Sequence, residues 1–168
     1  MSIFRDLLAI KAFREGQAES AVRVQRQALA DAQAARAAAE ALLARLMQEG
    51  LETETALYRD LCSRIVRLRE IEDVQLSVAG LRQREAAQQD AVETARRAQE
   101  AQNQKLDAAR AAHQEASRQK SKFVDLARNY ADAQLREVER KEDLEMEEAA
   151  SVRRDREDWE THDPEHAA

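Results

Sequence analysis

The sequence predicts an all-α fold, a long antiparallel two-helix coiled-coil hairpin, on three observations. Its 168 residues include 3 Gly and 1 Pro, and the proline, Pro164, lies near the end. Sheets, barrels and α/β enzymes need turn residues every ten or so positions, and this chain lacks them. Aromatic residues make up 4% and charged residues 36%, with Ala, Glu, Arg, Gln and Leu dominating, a long-helix composition rather than that of a globular core. Apolar residues also recur at steps of three and four along two extended stretches, the coiled-coil period.

The first helix is predicted over about 3–71. Val22, Leu29, Leu43 and Leu57 fall at multiples of seven, with Ala32, Ala39 and Leu46 at the alternate positions. Arg36 and Gly50 interrupt that register. Leu57, Leu61 and Ile65 are then four apart with Leu68 three further on, which predicts a stutter and a bend near 50–57. The reversal is placed at about 72–79, where Asp73 and Ser77 are candidate helix caps and Gly80 follows. The second helix is predicted over about 80–150. From Val92 through Ala95, Gln99, Gln102, Leu106 and Ala109 to His113, then Ala116, Lys120, Phe123, Ala127 and Tyr130, its seam alternates three and four without a slip. With that turn, residue i faces about residue 150 − i, so Phe13 pairs with Val138 and Leu43 with Leu106. Each arm would be about 100 Å long at 1.5 Å rise per residue. An alanine-rich seam buries little, so the middle of the hairpin is expected to be thin. Residues 151–168 read as an acidic tail that frays into disorder.

Charge divides the chain. Residues 1–71 carry 11 basic and 10 acidic groups, residues 72–136 carry 11 and 10 again, and residues 137–168 carry 5 and 13. No basic stripe suits nucleic acid, and the acidic balance disfavours an anionic membrane surface. No apolar run is long enough to span a bilayer, so no direct membrane insertion is expected. The single cysteine, Cys62, excludes an intrachain disulfide, suits a cytoplasmic location, and reads as a small residue beside the helix seam.

No catalytic, metal or cofactor site converges. His162 and His166 are four apart, but Pro164 lies between them in a terminal segment, so they read as tail. His113 reads as a tolerated polar seam residue. The carboxylates of 137–148 have no cleft to shift their titration, which leaves a solvated acidic face or an electrostatic face for a basic partner. Ile3, Phe4, Leu7, Leu8, Ile10 and Phe13 crowd the start of the chain on more than one helix face, and Val138, Leu144 and Met146 opposite would leave apolar surface over. That surplus marks a binding face or a staple for the open end of the hairpin. Tyr58 fits the seam with Leu61, Ile65 and Leu68 and equally suits a partner contact, while Trp159 reads as a tail contact.

The apolar start Ile3-Phe-Arg-Asp-Leu-Leu-Ala-Ile-Lys-Ala-Phe-Arg14, the single hairpin, and Phe123 followed by an acidic run through Glu148 resemble the YscO family of type III secretion and its flagellar counterpart FliJ. The resemblance covers about 3–150. It implies a cytoplasmic, non-enzymatic component that acts as central stalk of the hexameric export ATPase and as adaptor toward the export gate protein and secretion chaperones, peripheral to the inner membrane. Mapped by position, the ring-facing end would be about 1–25 and 125–150, with Phe4, Leu8, Phe13, Glu142 and Glu145 as contacts. The region about 45–85, with Leu51, Tyr58 and Leu76, would face the gate or chaperones. A monomer is expected and a dimer is the alternative state. A secretion chaperone or escort and a structural spacer are the alternative functions.

Overall fold

The computed structural model describes residues 2–162. They form two helices, α1 (Ser2–Ser63) and α2 (Leu68–His162), and among them there is no strand and no residue with positive φ. The helices pair as an antiparallel coiled-coil hairpin. By contacts the chain divides into two compact units, Phe13–Ala116 and Met1–Ala12 with Ser117–Ala168.

The unit Phe13–Ala116 contains the turn. The chain reverses at residues 64–67, not at 72–79. Arg64-Ile-Val-Arg67 has neither Gly nor Pro, but Ile65 and Val66 are β-branched, and their stiff side chains weaken a helix already ending. The loop is tied by side chains. Arg64 bridges Asp60 at 3.1 Å and Glu70 at 2.7 Å, and the other Glu70 oxygen accepts from the Arg67 backbone N–H at 2.7 Å. Glu70 is the third residue of α2 and reaches back to the residue before it, which is half of a capping box. The expected caps do other work: the Ser77 hydroxyl donates to the Asp73 carbonyl at 2.9 Å inside a continuous helix, and Gly80 is helical.

An earlier turn changes the pairing. Arg36 meets Gln99 and Glu54 meets Arg82, so residue i faces roughly residue 135 − i rather than 150 − i. Leu43 therefore lies well away from the level of Leu106. The predicted α2 seam holds: every position from Val92 to Ala116 is covered, and Val92 and Leu106 are buried. It also extends back through Leu81, Glu85 and Gln88 to Val74 and Val78, which lie in the stretch read as turn. In α1, Arg36 and Gly50 stay on the seam. Arg36 extends its guanidinium to Glu40 at 2.9 Å and Gln99 at 3.4 Å, and Gly50 is buried. The two consecutive steps of four are Leu46, Gly50 and Glu54, about three turns before Leu57, Leu61 and Ile65, where the sequence places them. The seam then closes at Leu57 and Leu61, and Ile65 is 102% exposed in the loop.

In the other unit, Phe4 packs on Tyr130 with ring centroids 4.9 Å apart. The Lys11 amino group lies 4.9 Å over the Phe123 ring and donates to Gln119 at 2.9 Å. The N-terminal segment thus faces residues 119–130 instead of 137–147. Seam positions Lys120, Phe123 and Ala127 are covered as expected, whereas Tyr130 is exposed and Ala131 takes the covered position. Beyond Ala131, α2 runs on with no facing helix, and every described side chain from 132 to 159 is exposed. The helix persists to His162. The remainder of the tail, His166 included, lies outside the described residues.

Candidate interaction surfaces

The sequence-derived contact residues fall on separate surfaces. Phe4 and Leu8 are half-covered in the helix pair, so they staple the end of the hairpin and offer only part of their surface outward. Ile3 and Ile10 nearby are exposed. Phe13 belongs to the other unit and is 65% exposed.

In the same unit as Phe4, the overhanging part of α2 carries an apolar cleft lined by Tyr130, Ala131, Gln134, Leu135 and Val138. Leu135 and Val138 lie at steps of four and three from Ala131, so they share the face that the N-terminal helix covers further back. Glu142 and Glu145 continue that spacing and are exposed. Between 142 and 148 there are five carboxylates and no cation, so this stretch presents one sign of charge. The helix carries local ion pairs, Arg140 with Glu137 at 3.3 Å and Arg153 with Glu157 at 3.6 Å, each of the exposed kind that contributes a few tenths of a kcal/mol, ~0.3–0.5.

Leu51, Tyr58 and Leu76 are all exposed in the unit Phe13–Ala116. Leu51 borders a shallow depression with Thr55 and Arg59. Tyr58 lies off the covered face, which resolves it as a surface residue rather than seam. The sequence reading missed the loop itself, where Ile65 and Leu68 are exposed among Arg64, Arg67 and Arg69. Its signal was the run of arginines around two β-branched residues. Cys62 is exposed next to the covered Leu61, and His113 is half-buried on the seam as read. Among the described residues no group of three or more His, Cys, Asp or Glu could hold a metal, and no helix is long and apolar enough to cross a membrane.

One polar contact between the helices was not foreseen. Gly50 leaves room for the Glu85 carboxylate: one oxygen takes the Arg82 guanidinium at 3.0 Å, and the other is buried without a hydrogen-bond partner. Arg82 also bridges Glu54, and its carboxylate partners hold the guanidinium above its ordinary value, the Glu85 hydrogen bond foremost.

No curated protein matches the chain. The crystal structure of type III secretion protein YscO from Vibrio parahaemolyticus superposes with a TM-score of 0.80 at 28% sequence identity, covering 88% of this chain and 92% of that one. The family model described as type III secretion protein YscO matches residues 4–152, which take in the paired helices, the loop and most of the overhang. This chain therefore belongs to the YscO family of type III secretion proteins.

Proposed function

We propose that this YscO-family protein is a cytoplasmic, non-enzymatic stalk of the export ATPase ring, and that it links the ring to the export gate and to secretion chaperones. The observation that carries this reading is the make-up of one unit. Exposed Ile3 and Ile10, the apolar cleft at Leu135 and Val138, and the acidic stretch with Glu142 and Glu145 all belong to it. Apolar surface supplies affinity, and carboxylates steer a basic partner into register. Leu51, Tyr58 and Leu76 in the other unit form a separate exposed set suited to a gate or chaperone contact.

The test is binding to the export ATPase and stimulation of its hydrolysis. Ile3→Ser with Ile10→Ser should weaken both at least tenfold while helicity by circular dichroism stays unchanged. These positions are preferable to Phe4, whose loss would also remove the contact with Tyr130. Leu51→Ser, Tyr58→Ser and Leu76→Ser together should leave ATPase stimulation intact and abolish chaperone capture. Stimulation that survives the Ile3/Ile10 change would sink the stalk reading.

A further inference from the structure

The overhang of α2 is an interface with one side missing. Up to Tyr130 its covered face is packed by the start of α1. From Ala131 the same face continues through Leu135, Val138, Glu142, Glu145 and Ala149 in alternating steps of four and three, with nothing opposite it. α1 has 62 residues and α2 has 95, so the difference is a length of seam that α1 cannot reach.

We propose that residues 131–149 bind a basic amphipathic helix of a partner protein, which takes up the seam where α1 ends. Three features on this segment select that occupant. The face is continuous with an existing helix–helix interface, so a helix fits without a change of backbone. Its near half carries the apolar cleft lined by Tyr130, Leu135 and Val138, which takes apolar anchors at three- and four-residue spacing. Its far half places Glu142 and Glu145 on the seam among Asp143, Glu147 and Glu148, which calls for Lys or Arg on the incoming helix. A second copy of the overhang is the wrong occupant, because 132–162 carries 12 acidic and 6 basic groups and would meet its own sign. The inference rests on the open end being a contact surface, as proposed above, but it specifies what recognises that surface.

The test needs no ATPase, so its outcome is separable from that of the stalk reading. The full chain is titrated with two labelled helical peptides that share Leu and Ile anchors at seam spacing, one flanked by Lys and the other by Glu. The Lys peptide should bind at least tenfold tighter than the Glu peptide, weaken with salt, and protect the amides of 131–149 from hydrogen exchange. Leu135→Asn with Val138→Asn should abolish binding. Glu142→Lys with Glu145→Lys should reverse the preference between peptides, a readout that misfolding cannot mimic. Equal binding of both peptides, protection elsewhere, or no binding overturns the proposal. So does doubling of the 19.1 kDa mass through the overhang in the absence of any peptide.

Discussion

At the scale of single residues, the turn is held by one carboxylate. Glu70 accepts from the Arg67 N–H and from the Arg64 guanidinium, and those bonds, the backbone one first, hold its carboxyl below the ordinary 4.5. A carboxyl whose folded value is lowered stabilises the fold above its unfolded value and loses that contribution as pH falls through the folded one. The loop should therefore stay tight at neutral pH and loosen only below pH 4.5, as Glu70 protonates. The Arg67 amide reports this directly: its proton resonance should move with acid in the native chain. Glu70→Gln should remove that titration, leaving the amide shift flat across the same range. A titration unchanged by the substitution would assign the cap to another group. Arg64 is linked to the same event, since its raised value comes from Glu70 before Asp60.

At the scale of the helices, the glycines distinguish the seam from the surface. Gly16 and Gly80 are helical, and a Cβ on either meets nothing within 4 Å, so Ala at each should raise stability by about 1 kcal/mol, the usual helix-interior difference. Gly50 is different, because a Cβ there would lie 2.5 Å from a Glu85 carboxylate oxygen. Gly50→Ala should gain less than Gly16→Ala, and the deficit should vanish in a Glu85→Ala background; urea unfolding of the four variants in that cycle measures the coupling. The Gly80 result also bears on what was legible. A true turn glycine would resist Ala, and Gly80 beside Asp73 and Ser77 looked like one. The α2 seam from Val92 to Ala127 was readable because strict three-and-four spacing survives even when Gln99, Gln102, His113 and Lys120 occupy it. The turn was not readable, because Arg64–Arg67 carries no Gly or Pro and is fixed by ion pairs between residues whose closeness exists only after folding. Moving the turn earlier shifts the facing register by about twice the displacement. That shift left the acidic stretch without a facing helix.

At the scale of the whole chain, burial is unevenly distributed. Val22, Val92 and Leu106 are the buried hydrophobic residues among those described, and all three belong to the unit Phe13–Ala116. Every described side chain of the overhang from 132 to 159 is exposed, so its helix rests chiefly on Ala, Glu and Arg propensity and on surface ion pairs. Isolated helices are marginal below ~12–15 residues and gain with length, so a helix of this size forms but opens at little cost. Hydrogen exchange should show this as a gradient: slow amides around Val92 and Leu106, and fast exchange across 132–159. Trypsin should accordingly cut first at Arg136, Arg140, Lys141 and the Arg153–Arg156 cluster, leaving a fragment that ends at Arg136. Because the paired region owes nothing to those residues, that fragment should keep the thermal midpoint of the full chain. A lower midpoint would mean that the overhang packs back on the hairpin. Slow exchange across 132–159 in the isolated chain would contradict its exposure. Slow exchange there only when a basic helix is added is the behaviour of a half-interface completed by a partner.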